Sequence, residues 1–242
     1  GSGLAGIYRN DNGVFTDIKS GMKGVFSGSS AWSDYDKDGD LDVLITGISG
    51  SDPTARLYRN DNGVFNDIDA GLAGVSYSSV DWGDYDNDGD PDLLITGMGI
   101  YSPLSKVYRN DNGILTDINA TLTGVYRGSA SWGDYDNDGD LDIILCGNNS
   151  SDGITRIYRN DNGIFTNINE VLTGVQYSGA AWGDYDNDGD LDILLTGNSN
   201  SSSYYSIIYK NNILVSNSAP SAPSGLLSVM GANKVTLSWN KS

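Results

Sequence analysis

The amino-acid sequence predicts an all-β fold, a β-propeller of four-stranded antiparallel blades with about 50 residues per blade. An acidic nonapeptide recurs every 50 residues, a short apolar run follows each copy, and no segment shows helical periodicity. A repeat of this length is typical of solenoids, propellers and arrays. Four short strands per repeat favour a propeller blade over a solenoid coil or a sandwich.

Each repeat divides into four strand-sized segments. In the second repeat, segment 76–86 leads into the acidic loop, and segment 92–98 is an apolar run that predicts a buried strand. Segment 105–111 follows a loop of variable sequence, and segment 113–119 alternates apolar and polar residues. Asn112–Gly113 joins the last two segments, and it favours a hairpin turn because both residues tolerate positive φ.

The repeat phase also predicts the domain boundaries. Residues 1–3 resemble a vector remnant, 4–215 form the blades, 216–224 form a Pro/Ser linker, and 225–242 begin another domain. The blade frames are 4–26 (partial), 28–77, 78–127, 128–177 and 178–214 (partial). Two alternatives explain the partial blades: a small ring closed by both chain ends, or a fragment of a larger ring. Open blade edges in a fragment would favour self-association.

The acidic nonapeptide has the spacing of a calcium loop. It reads DYDKDGDLD at 34–42, DYDNDGDPD at 84–92, and DYDNDGDLD at 134–142 and 184–192. Calcium takes six to eight oxygen ligands, and a glycine permits the sharp turn around the ion. In the first copy we expect ligands from the side chains of Asp34, Asp36, Asp38 and Asp42 and from the backbone carbonyl of Asp40, whose carboxylate points outward.

The loop begins like an EF-hand but does not end like one. An EF-hand has a bidentate Glu at position 12, where this chain has Ile45, Ile95, Leu145 or Leu195. The apolar run after each loop predicts a strand and not a helix. We therefore expect four calcium ions, each in a strand-to-strand loop.

Composition limits the classes of function. The chain has 242 residues, with 32 acidic and 14 basic side chains and a net charge of −18, which argues against nucleic acid as a partner. No apolar run is long enough to insert into a membrane. The absence of histidine excludes Ser/His and Cys/His catalysis. The single cysteine, Cys146, takes the place of a threonine in the other repeats and is expected to be a half-buried strand residue.

The repeat pattern comprises WGDYDNDGDLD with its tryptophan, then an apolar strand, and then LYRNDNGVF. Over residues 4–214 this pattern resembles the FG-GAP, or VCBS, repeat. This family includes the calcium-binding blades of integrin α-subunits. The resemblance implies calcium at five aspartates of each loop: Asp34, Asp36, Asp38, Asp40, Asp42, Asp84, Asp86, Asp88, Asp90, Asp92, Asp134, Asp136, Asp138, Asp140, Asp142, Asp184, Asp186, Asp188, Asp190 and Asp192. The family's literal Phe-Gly and Gly-Ala-Pro motifs are absent, so integrin-like ligand recognition is not implied.

The carboxyl-terminal segment differs from the repeats. Residues 225–242 resemble the start of a fibronectin type III domain, with Trp239 at the position of that family's core tryptophan.

These features favour a non-catalytic, calcium-binding module of an exported, multidomain bacterial protein, located outside the cell or at its surface. We expect it to mediate adhesion by binding a glycan or a protein. The sequence varies most in the loops 48–55, 98–105, 148–155 and 198–206, which indicates either contact regions for a ligand or simple tolerance of loop variation, with tolerance favoured. Candidate sugar-stacking residues are the tyrosines at 101, 204 and 205 and those at 77, 126 and 177. Two alternatives remain: a calcium-rigidified spacer, and a fragment of a polysaccharide lyase.

Overall fold

The structure is a computed structural model that describes residues 5–199, 203–212, 227–231 and 234–238. The predicted vector remnant, the linker at 216–224 and Trp239 lie outside the described residues. The chain divides into two compact units, Gly1–Asn212 and Ile213–Ser242. In the second unit, Leu227–Gly231 and Lys234–Ser238 pair as antiparallel strands.

The prediction of an all-β fold is confirmed, because every regular element of the described chain is a strand. The strands of the first unit are β1 (Tyr8–Asp11), β2 (Val14–Asp17), β3 (Ser30–Ser33), β4 (Asp42–Ser49), β5 (Asp52–Asp61), β6 (Val64–Asp67), β7 (Ser76–Gly83), β8 (Asp92–Met98), β9 (Pro103–Asp111), β10 (Ile114–Asp117), β11 (Tyr126–Gly133), β12 (Asp142–Asn148), β13 (Gly153–Asp161), β14 (Ile164–Asn167), β15 (Gln176–Gly183), β16 (Asp192–Asn198) and β17 (Tyr204–Tyr209). Those of the second unit are β18 (Leu227–Gly231) and β19 (Lys234–Ser238). No helix among the described residues is long and apolar enough to cross a membrane.

Three sheets have the four antiparallel strands of a blade in sequence order: β3 to β6, β7 to β10 and β11 to β14. We call these sheets blades 1, 2 and 3. A two-stranded sheet, β1–β2, comes before them in the chain, and a three-stranded sheet, β15–β16–β17, comes after them and is called blade 4. The register of β1 on β2 equals that of a third strand on a fourth, since Tyr8 opposes Asp17 as Tyr58 opposes Asp67.

Local chemistry explains the hairpin between the third and fourth strands. Asn62 and Gly63 both have positive φ, 52° and 88°, which is the conformation that Asn-Gly supplies in a two-residue turn. Asn112–Gly113 repeats these angles at 51° and 86°. The predicted turn is therefore present.

The hydrophobic core lies between neighbouring blades. Tyr85, Leu94 and Val107 of blade 2 share one cluster with Trp132 and Ile143 of blade 3. The first strands of successive blades contact one another, so blades approach most closely at that edge. Each internal blade therefore buries one face against the preceding blade and the other against the following one.

The outward face of blade 4 is much less buried than its internal counterparts. Leu194 is 49% exposed, whereas its equivalents Leu44, Leu94 and Ile144 are each 0% exposed. The acidic-loop tyrosine shows the same contrast, since Tyr185 is 54% exposed and Tyr85 only 4%. Closure of the blades into a ring remains a prediction.

Candidate calcium sites

Each acidic loop brings three carboxylates together. In the first loop Asp34, Asp36 and Asp42 each place one carboxylate oxygen within 4.8 Å of the others. The same three positions of the nonapeptide, the first, third and ninth, converge in the other loops, at 84, 86 and 92, at 134, 136 and 142, and at 184, 186 and 192. We call these groups the Asp triads.

The ninth position is the first residue of the buried second strand. Asp42 is fully buried; its two oxygens accept hydrogen bonds from the backbone N–H groups of Tyr35, at 3.2 Å, and Asn60, at 2.8 Å. Asp92 and Asp142 repeat both bonds. The ninth carboxylate thereby connects the acidic loop to the third strand of its own blade.

The triads have the donor chemistry that calcium prefers. Four of their carboxylate oxygens are buried and accept no hydrogen bond: Oδ1 of Asp34, Asp36, Asp84 and Asp136. A buried acceptor without a partner is costly, and three crowded carboxylates repel one another. A hard divalent cation with oxygen ligands would satisfy both conditions, so these residues fit calcium.

Burial and neighbouring charge raise the pKa of six of the triad carboxyls, at positions 36, 42, 86, 92, 136 and 142. Burial raises the pKa of Asp42 to about 6 and the pKa values of Asp92 and Asp142 to about 7, although backbone N–H groups oppose the shift. Burial and the neighbouring Asp138 also raise the pKa of Asp136. Since a bound cation would favour the ionised form, calcium would compete with protons at these groups.

The fifth and seventh positions of the loop lie outside the triads. In the first loop Asp38 accepts a hydrogen bond from the backbone N–H of Asp40 at 2.8 Å. The Asp40 carboxylate accepts from the backbone N–H of Asn62, at 2.7 Å, in the Asn-Gly turn of the same blade. Asp90 and Asp140 make the corresponding bonds to Asn112 and Asn162. The seventh side chain thus holds the hairpin turn, as expected for a carboxylate that points away from the ion.

The fourth and sixth positions adopt left-handed backbone conformations, as the turn requires. Gly39 has φ of 95° and Lys37 has φ of 57°. The side chain at position four contacts the next loop: Asn87 Nδ2 donates to Asp140 Oδ1 at 3.0 Å, and Lys37 forms an ion pair with Asp90. The lysine of the first loop therefore fulfils the role of the later asparagines, and neighbouring acidic loops are linked.

Comparison with known families agrees with this geometry. The FG-GAP-like repeat matches residues 34–95 and 134–195, which together make up just over half of the chain. The chain belongs to the FG-GAP-like repeat family. No curated protein matches it.

The four acidic loops of this FG-GAP-like chain are not equivalent as candidate metal sites. Asp184 and Asp186 are exposed, whereas the corresponding residues of the other triads are half-buried. Lys210 forms an ion pair with Asp186 and another with Asp188, at 3.1 Å. In the other repeats the equivalent arginine pairs with an aspartate two residues later, as Arg159 pairs with Asp161 at 2.8 Å. Asn212 replaces that aspartate, which explains why Lys210 turns to the acidic loop.

The first asparagine in YRNDNG has a role between blades that was not predicted from the sequence. Asn110 is fully buried, and its Nδ2 donates to the backbone carbonyls of Tyr35, at 2.7 Å, and Pro91, at 3.0 Å. Tyr35 belongs to the acidic loop of the preceding blade, so this amide connects two blades. Asn160 and Asn211 make the same pair of bonds. Its recurrence in every repeat was the available signal.

The tryptophans of blades 2, 3 and 4 pack between blades. Trp132 stacks on Tyr85 of the preceding acidic loop, with ring centroids 5.9 Å apart. Trp82 on Tyr35 and Trp182 on Tyr135 repeat this contact.

Cys146 is fully buried, whereas the sequence predicted a half-buried strand residue. Burial raises the pKa of its thiol, which does not suit a nucleophile.

A separate cluster lies where the first strands of successive blades meet. One cavity of about 460 Å³ is lined by residues just before or at the start of each first strand: Ser27, Tyr77, Arg127 and Tyr177. The Arg127 guanidinium lies 4.8 Å from the ring centroid of Tyr77 and 4.9 Å from that of Tyr177. Tyr126 provides a third ring at 5.3 Å. We call Arg127 with these three tyrosines the arginine cluster.

Proposed function

We propose that the FG-GAP-like repeats bind calcium, one ion in each acidic loop, and that the ions rigidify a non-catalytic binding module. The observation that supports this most directly is the set of buried triad oxygens without hydrogen-bond partners. Calcium would supply the missing partner and offset the repulsion among the carboxylates. Asp34, Asp36 and Asp42 would hold the first ion.

The fourth loop would bind calcium more weakly than the other three. Its triad is more exposed, and the Lys210 ammonium forms ion pairs with Asp186 and Asp188 where a cation would bind. Binding there requires the lysine to move away. Isothermal titration of calcium-free protein should therefore show three tight sites and one weaker site, and Lys210→Ser should strengthen the weak one.

Calcium should raise thermal stability strongly. A ligand that binds only the folded state stabilises it by about 2.7 kcal/mol per site at a hundred times Kd. We expect a large fall in melting temperature when EGTA is added to the calcium-saturated protein, followed by recovery with excess calcium. An unchanged melting temperature, together with no calcium binding by titration, would reject the metal proposal.

We further propose that the arginine cluster binds an acidic glycan. Arg127 forms no ion pair within the described part of this acidic chain, and its Nε is buried without a hydrogen-bond partner. The tyrosine rings hold the guanidinium in place, and Tyr177 is 62% exposed. Aromatic faces suit the apolar faces of sugar rings, and a guanidinium suits a carboxylate. The cavity volume lies within the usual range of small-ligand sites, about 300–1,000 Å³.

Titration with an oligogalacturonate, beside a neutral oligosaccharide of equal length, tests this ligand assignment. Arg127→Ser should weaken binding of the acidic glycan at least tenfold, because it removes the guanidinium that would bind the carboxylate. Serine is chosen because it occupies the equivalent position 27 in the first repeat. Lys23→Ser removes another cation that forms no ion pair in the described chain, and it should leave binding unchanged. Failure of wild-type protein to bind, in saturating calcium, would favour the spacer alternative.

The lyase alternative has its own readout. Arg127 donates a hydrogen bond to the Tyr177 hydroxyl, so one cation and one phenol do lie together. Appearance of an unsaturated product from the acidic glycan, detected by absorbance, would replace the non-catalytic proposal with an enzymatic one.

We propose an extracellular or cell-surface location for this module in an exported, multidomain bacterial protein, because calcium is abundant outside cells. The net charge of −18 opposes nucleic acid as a ligand.

A further inference from the structure

The acidic loops of neighbouring blades contact one another directly. Asn137 Nδ2, at the fourth position of the third loop, donates to two acceptors in the fourth loop: the Gly189 carbonyl at 3.3 Å and Asp190 Oδ1 at 2.9 Å. Asn87 Nδ2, in the second loop, makes the same two bonds to the third loop, at 3.2 Å and 3.0 Å. These asparagines therefore connect the second loop to the third and the third loop to the fourth.

The connection between the first and second loops uses a different donor. Lys37, at the fourth position of the first loop, forms an ion pair with Asp90, whose side chain is 6% exposed. The backbone φ angles of Lys37, Asn87 and Asn137 are 57°, 59° and 58°, so each side chain leaves the same left-handed turn. The contact is therefore present at all three junctions between successive acidic loops.

Both ends of this contact lie beside expected calcium ligands. In the third loop, Asn137 stands between Asp136, a member of the Asp triad, and Asp138, whose carboxylate the sequence predicts as a ligand. In the fourth loop, the acceptors are at positions six and seven, and the backbone carbonyl of position seven is itself a predicted ligand. An ion that fixes the ligands of one loop would therefore also fix one end of the contact with the next loop.

We propose that Asn87 and Asn137 are positioning residues for calcium in the next loop, so that neighbouring sites bind calcium cooperatively; this rests on the proposed calcium binding. Repulsion among carboxylates and loss of conformational entropy both oppose ordering of a loop. Once one loop is ordered by its ion, its asparagine holds the turn of the next loop, and the next ion meets a smaller ordering cost. By linkage, each site strengthens the other by the same factor.

The chain supplies a reporter for each calcium site. The glycine at position six of each loop donates its N–H to the first aspartate of its own triad, as Gly139 donates to Asp134 at 3.0 Å and Gly189 to Asp184 at 3.2 Å. An ion bound to that aspartate changes the surroundings of the glycine amide. Nuclear magnetic resonance of isotope-labelled protein, recorded in calcium buffers, therefore measures the calcium affinity of each loop separately.

A thermodynamic cycle on the third and fourth loops tests the coupling. Asp136→Asn removes a triad carboxylate and so empties the third site. In otherwise wild-type protein this should weaken calcium binding at the fourth loop, read at Gly189, by at least about fivefold. Asn137→Ala alone should weaken the fourth site by a similar factor. When Asn137→Ala is present, adding Asp136→Asn should have no further effect on the fourth site, because the contact that carries the coupling is already absent.

Asn187→Ala is the matched control. Asn187 has the same loop position and a φ of 60°, but no contact of its side chain with another acidic loop is described within residues 5–199. This substitution should leave all four calcium affinities unchanged. The same cycle on Asp86 and Asn87, read at Gly139, repeats the test at a second junction. The melting temperature of each variant in calcium shows whether it is folded.

Two results would overturn the coupling while calcium binding stands. One is an unchanged affinity of the fourth loop in Asn137→Ala. The other is a fourth site that emptying the third loop still weakens when Asn137 is replaced. Wild-type protein that binds no calcium at any loop would instead reject the proposed calcium binding, and the coupling with it.

Discussion

At the scale of single residues, the ninth aspartate of each loop combines two roles. It is an acceptor for two backbone N–H groups and a member of the Asp triad, at the start of a largely buried strand. Burial opposes its ionisation, which is why the pKa of Asp92 rises to about 7 in spite of its hydrogen bonds. Without a cation this carboxyl is a source of instability at neutral pH.

The first prediction is that calcium-free protein is more stable at pH 5 than at pH 7.5. The folded state binds protons at Asp42, Asp92 and Asp142 up to pH 6 to 7, whereas the unfolded chain releases them near pH 4. The free energy of unfolding therefore falls as pH rises through this window. Melting curves of protein stripped of calcium by a chelating resin test this.

Saturating calcium should reverse the pH dependence. Protons compete with the ion for the same carboxylates, so acidification weakens calcium binding and lowers the melting temperature. A calcium-free protein that melts at a higher temperature at pH 7.5 than at pH 5 would contradict the assigned role of the buried aspartates.

At the scale of elements, the acidic loops join blades in addition to carrying the Asp triads. Each loop contributes a tyrosine to the next blade's tryptophan and a backbone carbonyl to the next blade's asparagine. Its fourth residue reaches the following loop. The loop is therefore part of the interface between two blades, and the recurring asparagine of the third strand completes that interface.

The second prediction compares Asn110→Ala with Asn60→Ala. Both substitutions remove an amide donor to the carbonyl at the eighth loop position, Leu41 or Pro91, and an acceptor for the N–H of the turn glycine. Only Asn110 also donates to the preceding blade, at the Tyr35 carbonyl. A buried carbonyl left without a partner costs about 1–3 kcal/mol, so Asn110→Ala should lower the free energy of unfolding by about that much more.

Urea unfolding in saturating calcium measures the difference. Equal losses for the two variants would show that the contact between blades adds nothing to stability and that the asparagine acts only within its own blade.

At the scale of the whole molecule, stability should depend on position along the array. Each internal blade has neighbours on both faces, whereas blade 4 leaves Tyr185, Leu194 and Ile208 about half exposed. A repeat array behaves approximately as a sum of unit stabilities and neighbour interfaces. The same substitution should therefore have different effects in the middle and at the end.

The third prediction is that Asp142→Asn destabilises the protein more than Asp192→Asn. The two aspartates are equally buried, at 0% and 2% exposed. The loop that ends at Asp142 contacts blades 2 and 4, through Asn87 and Trp182. The loop that ends at Asp192 contacts only the preceding blade among the interfaces described, and Lys210 already neutralises part of its charge.

Thermal melts in calcium, with Asp52→Asn at an exposed carboxylate as control, provide the comparison. A larger effect of Asp192→Asn would mean that the terminal loop is held by a contact outside the described interfaces.

The sequence by itself determined the strands, the Asn-Gly turns and the acidic loops with their family. These features depend on nearby residues: the alternation along a strand, the positive φ of Asn-Gly, and aspartates close enough to surround one ion. Tertiary structure decided the rest. Whether Asp40 faces an ion or a turn, what Asn110 holds, and where Arg127 lies all depend on partners 22 to 75 residues away. A repeat specifies its own blade, but the contacts of its side chains are set by the blades packed on either side.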